Sequence, residues 1–218
     1  CMLKSKLLRS NVRLIFITCL LGALVACNTE ELNNLFPSTT TLSGSVGDGP
    51  ITEAQIVVTD ATGEVVGISV SDNTANYNVS VLATSTYPIL VTATGGTDIV
   101  TNAAPDFTLL SVAMDSSEQT VNINPFSTLI VKTAQAMVGG LNVANLNIAK
   151  QNIAQHLNFG LDPLLVPDPI ATQITGNNVA AIIKASEAMG EAIRRTRSAI
   201  LIAGTDITED EIMTAIAA

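Results

Sequence analysis

The sequence predicts an α+β protein in two parts: an N-terminal antiparallel β-sandwich of about seven strands, then a small all-α helical region. Three observations predict it. From Leu42 to Ile123 apolar residues recur with period two, and turn signals return about every 8–12 residues, the spacing of a sandwich. At Asn124-Pro125 the period changes to that of a helix. Ahead of both parts lies a segment patterned for export rather than for folding.

That segment sets Lys4, Lys6, Arg9 and Arg13 before an apolar run from Leu14 to Ala26. Basic flank, hydrophobic core and small residues at the cut define a signal peptide over residues 1–26. The run is thirteen residues long, short of the roughly 20 a spanning helix needs. Its end, Leu24-Val25-Ala26-Cys27, resembles the lipobox of bacterial lipoproteins. The resemblance implies cleavage between Ala26 and Cys27 and a lipid on Cys27. An anchor of more than one acyl chain is stable where a single chain is not, since each buried CH₂ adds about 0.8 kcal/mol. Asn28, rather than Asp, follows the cysteine, which resembles lipoproteins bound for the outer membrane. The expected location is therefore the bacterial cell envelope, at the outer membrane. Cys1 ahead of Met2 reads as an upstream extension of the reading frame. Residues 27–41 are polar and poor in hydrophobes, and read as a flexible tether ending near Phe36-Pro37.

From Cys27 on there are 192 residues, six of them basic and nineteen acidic, a balance of −13. Between Cys27 and Pro125 there are eleven acids and no Lys or Arg. Such a surface repels phosphate backbones, so no nucleic-acid partner is expected. With Cys1 and Cys19 removed and Cys27 lipidated, no thiol remains for a disulfide, a nucleophile or a metal site.

The sandwich is expected over residues 42–124. Leu42 to Val46 is its first strand, turned by Gly47-Asp48-Gly49-Pro50. Ala54 to Asp60 follows, then a turn at Asp60-Ala61-Thr62-Gly63, then Val65 to Val70. Asn76 to Val81 alternates most cleanly, with Tyr77, Val79 and Val81 inward. Ile89 to Thr94, Phe107 to Ala113 and Thr120 to Ile123 complete the set. One wet face per strand argues for antiparallel pairing throughout. Leu42-Ser43-Gly44-Ser45-Val46, Ala54 to Val58, Gly63 and Ser71-Asp72 through Asn76-Tyr77 together resemble the carboxypeptidase regulatory-like domain. The resemblance covers roughly Thr41 to Leu82 and implies an Ig/transthyretin-like sandwich, an accessory module without catalytic residues. That family's turn is Asp-x-x-Gly-x-Tyr; here Ala75 stands in the glycine's place.

The helical region is expected over residues 125–218. Asn124 is a good N-cap and Pro125 suits the first helical position. Phe126, Leu129, Ile130, Ala134 and Met137 share a face, and Gly139-Gly140 stops the helix. A second helix runs from about Val143 to Leu157, with Leu146, Ala149, Ile153 and Leu157 on its stripe. Pro163, Pro167 and Pro169 mark a loop. Asn178 caps a third helix to about Ile202, and Thr208-Glu209-Asp210-Glu211 is a capping box for a fourth. That last helix has barely two turns before Ala218, so the chain is expected to continue.

Each chemically interesting residue has a plain alternative. His156 is the one histidine, with no acidic or thiol partner nearby on its helix, and reads as a helix-surface side chain. Arg194, Arg195 and Arg197 form the basic cluster. Three charges fall short of the ~4–8 of a lipid-binding patch, and pairing to Glu191 is favoured. Asp60, Glu64 and Asp72 are the candidate metal ligands, for Ca²⁺. Calcium takes ~6–8 oxygens, and this set is incomplete, so solvated turns are favoured. No nucleophile elbow, phosphate loop or paired-carboxylate signature occurs.

The sequence thus points to a lipid-anchored, non-enzymatic envelope protein. Its partners are expected to be the membrane, through the anchor, and an envelope or matrix protein. No cofactor is expected beyond the covalent lipid. Two alternatives stand beside it: the non-catalytic N-terminal part of an exported hydrolase, and a calcium-dependent adhesion module.

Overall fold

Strands come first and helices after in the computed structural model, which describes residues 38–218. The signal peptide with Ala26, and residues 27–37 of the tether with Cys27, lie outside the described residues. Among the described residues eight strands and four helices form. The strands are β1 (Thr39–Ser45), β2 (Ile51–Thr52), β3 (Gln55–Thr59), β4 (Val65–Val70), β5 (Asn76–Leu82), β6 (Ile89–Thr94), β7 (Thr97–Asp98) and β8 (Leu109–Ala113). The helices are α1 (Pro125–Ala136), α2 (Val143–His156), α3 (Val179–Ile202) and α4 (Glu209–Ala217). The class is α+β.

Where about seven strands in two antiparallel sheets are expected, the ladders divide the strands among three small sheets. β1 pairs with β5, β2 with β7, and β4-β3-β6-β8 form a four-stranded sheet. Every one of these ladders is antiparallel. The exception is the segment expected as the seventh strand. Thr120 and Ile123 make isolated parallel bridges to Ser43 and Val46, so the segment runs alongside β1 without becoming a strand. Proximity explains this. Ser43 N–H donates to Gln119 O and Val121 N–H to Ser43 O (2.8 and 2.7 Å). A Cβ on Gly44 would run into the Val121 carbonyl, so only glycine lets the two backbones approach this closely.

The turn signals work as local chemistry. The Asp72 carboxylate accepts from Thr74 N, Thr74 Oγ1 and Asn76 N (2.8, 2.6 and 3.0 Å). Ala75 inside that turn has φ +59°, the left-handed region that favours glycine. β5 then alternates as its sequence predicts, with Tyr77, Val79 and Val81 buried.

One apolar cluster runs from Leu42 in β1 to Ala217 in α4, and Thr39–Ala218 forms one compact unit. α1 is the junction. It packs against β8 on one side and against α2 and α4 on others. Accordingly it is buried almost all round, Pro125 through Val131 without a break, where a single stripe is expected. Its buried hydroxyls are satisfied by β8: Ser127 Oγ donates to Leu110 O, and Thr128 Oγ1 accepts from Leu110 N (2.6 and 2.8 Å). The capping box predicted for α4 is present, Thr208 with Glu211. At α3 the structure differs from expectation. Asn178 precedes the helix but makes no side-chain cap; its amide donates instead to Gln173 O (3.0 Å) and its carbonyl oxygen accepts from Thr175 N.

Candidate functional site

The loop after β1, Gly47-Asp48-Gly49-Pro50, lies against the middle of α3. Two glycines allow it. A Cβ on Gly190 of α3 would sit 2.6 and 2.7 Å from the carboxylate oxygens of Asp48. A Cβ on Gly49 would strike Asp98 Oδ1 and come within 2.9 Å of Glu187 Oε1. The carboxyls of Asp48, Asp98 and Glu187 therefore converge on two bare backbone positions.

Asp48 is buried, at 4% exposure. Arg194 reaches it from α3, Nη1 to Oδ2 at 3.4 Å, and divides itself among other acids. Its guanidinium lies 3.3 Å from Asp106, 3.7 Å from Glu187 and 3.3 Å from Glu191. One cation shared so widely compensates each anion only in part. Burial, then the charge of Glu187, pushes the Asp48 carboxyl up to about 7, against the pull of Arg194. Glu187 is raised for the same reasons, burial first and then Asp98. Asp98 is better served: its carboxylate accepts from Val100 N and Thr101 Oγ1, both at 2.8 Å. Asp48 Oδ1, Glu187 Oε1 and Ser186 Oγ are buried with no hydrogen-bond partner among the described residues.

Beside this cluster opens a cavity of about 280 Å³. Its walls are the 45–50 loop, the β4–β5 turn, the 174–176 segment and one face of α3. Val46, Pro50, Val179, Ile182 and Ile183 give it an apolar lining, and Asp48 and Ser186 lie on that lining. A buried carboxyl pushed up to about 7 and an unpaired hydroxyl, both on residues of its lining, suit the cavity to a polar group or to proton uptake and release.

Of the candidates read from the sequence Arg194 belongs to this cluster, whereas Asp60, Glu64, Asp72 and His156 do not. Asp60 accepts from Thr62 Oγ1, Thr62 N and Glu64 N (2.6, 2.8 and 3.2 Å), and the Thr62 hydroxyl leads in holding its pKa down. Asp72 is held down likewise, with Thr74 first. Each of these carboxylates closes its own turn. Among the described residues no three His, Cys, Asp or Glu are grouped to hold a metal ion, Asp60, Glu64 and Asp72 included. His156 is exposed at the end of α2. Arg195 pairs with Glu191 at 2.6 Å, as i,i+4 spacing predicts. Arg197 turns instead to Ile207 O and Glu209 (2.8 and 3.4 Å), tying α3 to the start of α4. Arg194 does more than its expected pairing, since it also spans to Asp48 and Asp106 in the strand region.

Sequence reasoning missed Asp98, Glu187 and Ser186, and read Asp48 as part of the turn after the first strand. One signal was available. Gly190 sits in the interior of a helix, where glycine costs about 1 kcal/mol relative to alanine, and such a glycine marks close packing. Compared with known proteins, the chain matches no family model, no curated protein and no solved structure.

Proposed function

We propose that this chain is a lipid-anchored, non-enzymatic protein of the bacterial cell envelope, placed at the outer membrane, whose folded part is a β-sandwich interaction module for an envelope or matrix partner. One observation carries the reading. A basic flank, a thirteen-residue apolar run and Leu24-Val25-Ala26-Cys27 stand in that order, and the compact unit begins at Thr39, a short polar tether later. That is the layout of a domain held off a membrane by lipid.

Two features support the finer part. The β1–β5 pair with its 120–123 companion supplies Leu42, Val79, Val81 and Val121 to the core; the four-stranded sheet supplies Ile56, Val58, Val91 and Leu109. Two layers facing one core is the logic of a sandwich. In the Asp72–Tyr77 turn, Ala75, at the place of the glycine in the carboxypeptidase regulatory-like motif, has the left-handed backbone that favours glycine. The acidic balance favours a protein or cationic partner over nucleic acid.

Metabolic palmitate labelling of cells expressing the chain, wild type against Cys27→Ala, tests the anchor. The expected result is label that disappears in Cys27→Ala and a wild type that fractionates with outer membranes. Label of equal strength in both would remove the anchor, and the tethered-module reading with it.

A further inference from the structure

We propose that the cavity between the 45–50 loop and α3 binds a small primary ammonium ion carrying an apolar body. This goes beyond the anchor and stands independently of it.

The polar contents of the cavity choose the ligand. Asp48 and Ser186 are among its lining residues, and each carries a buried polar atom, Asp48 Oδ1 and Ser186 Oγ, that no described residue satisfies. Both side chains are more than nine-tenths buried. Leaving such groups unpaired costs about 1–3 kcal/mol each, which a ligand that satisfies them recovers on binding. Both atoms accept, and an ammonium group brings three donors and no acceptor. The surroundings choose the sign. Asp48, Asp106, Glu187 and Glu191 lie around Arg194, the charge of Asp98 also acts on Asp48, and among the described residues Arg194 is the one basic side chain that reaches Asp48. A cation relieves that surplus, an anion worsens it, and a neutral alcohol satisfies the hydrogen bonds but leaves the charge. Val46, Pro50, Val179, Ile182 and Ile183 supply the apolar wall for the ligand's body.

Binding is linked to pH through Asp48. The groups that face it are Glu187 and Arg194 on α3 and Asp98 on β7, with Asp106 competing for Arg194. The free carboxyl is about half protonated near pH 7, whereas the ammonium requires the carboxylate. Affinity therefore rises with pH through neutrality, and binding below it expels a proton.

The test is calorimetric titration of the full chain, in a non-ionic detergent, with cyclohexylammonium chloride. Cyclohexanol and cyclohexanecarboxylate serve as probes of the same shape. Cyclohexylammonium is expected to bind at pH 8 at least tenfold more tightly than either, and roughly tenfold more weakly at pH 6. Asp48→Asn should lose the preference for the cation and the pH dependence together. Ser186→Ala should weaken binding about fivefold while keeping both. Cys27→Ala should bind as the wild type does, which separates this site from the anchor. Equal binding of cyclohexanol, an undiminished affinity in Asp48→Asn, or no heat from cyclohexylammonium at either pH would overturn the proposal. If Asp48→Asn does not fold, the pH series and Ser186→Ala decide alone: a flat pH profile, or unchanged affinity without the hydroxyl, overturns it.

Discussion

Two buried polar seams join the strands of this molecule to its helices, and they are built oppositely. The first surrounds residues 122–128. Asn122 Oδ1 accepts from Ser45 N and Oγ (3.1 and 3.2 Å), and its amide donates to Thr172 O (2.7 Å). Asn124 Oδ1 accepts from Ser127 N and its amide donates to Pro169 O, both at 2.9 Å. Tyr77 Oη donates to Val121 O at 2.6 Å, and burial pushes its phenol far up, so it stays a donor. All of these groups are neutral and mutually paired. The second seam, where the 45–50 loop meets α3, is ionic, leaves Asp48 Oδ1, Glu187 Oε1 and Ser186 Oγ unpaired, and borders a cavity. A closed neutral network holds a fold in one arrangement, whereas buried charge left partly unpaired carries a standing cost. The contrast separates a seam that fixes structure from one that retains binding capacity.

That contrast can be broken at several points. A large effect is expected in the neutral seam. Asn122→Ala strands Ser45 N and Thr172 O and should lower unfolding stability by about 3 kcal/mol, read by urea denaturation, with no dependence on pH. A loss below 1 kcal/mol would mean that the seam is not what ties the 169–172 segment to β1. In the ionic seam the effect should be pH-dependent. Because the folded pKa of Asp48 lies above its unfolded value, the folded state holds the extra proton between about pH 4 and 7. Stability from this group is therefore greatest at the acidic end and declines as pH rises through 7, by an amount on the order of 4 kcal/mol at most. Asp48→Asn should flatten that decline in melting temperature, and a slope equal to wild type would refute the assignment. Below pH 4 the trend reverses, since Asp60, Asp72 and Asp115 are all held low by their own turns.

Two smaller changes sharpen the picture. Tyr77→Phe removes one buried hydrogen bond and should cost about 1.5 kcal/mol, again without pH dependence. Ala75→Gly relieves a left-handed alanine and should raise stability by about 1 kcal/mol, seen as a higher melting temperature. A lower one would mean that the buried methyl of Ala75 contributes more packing than its backbone costs.

Where information is local, the sequence was sufficient. β4 and β6 occupy the predicted residues, Val65–Val70 and Ile89–Thr94, because period two and bounding turns lie within each segment. Tyr77 points inward as its alternation requires. Asn124-Pro125 starts α1 and Thr208 starts α4, since caps act over three residues. Asp60 and Asp72 close their own turns for the same reason.

The tertiary structure alone decided what depends on groups far apart in the chain. Residues 120–123 have strand composition, but their parallel alignment with β1 rests on contacts with residues almost eighty positions away, among them the close approach of Val121 to Gly44. Asp48 reads as one more acid in a polar turn until α3 covers it, and its partner Arg194 lies 146 residues away. Burial and a shared guanidinium set its proton affinity, and neither is written near Asp48. The sequence by itself determined the α+β class, the placing of strands before helices, and the caps of α1 and α4, because those rest on periodicity and on hydrogen bonds between near neighbours. Only the fold decided which polar groups were buried together, because desolvation and Coulomb energy depend on distance in space and not along the chain.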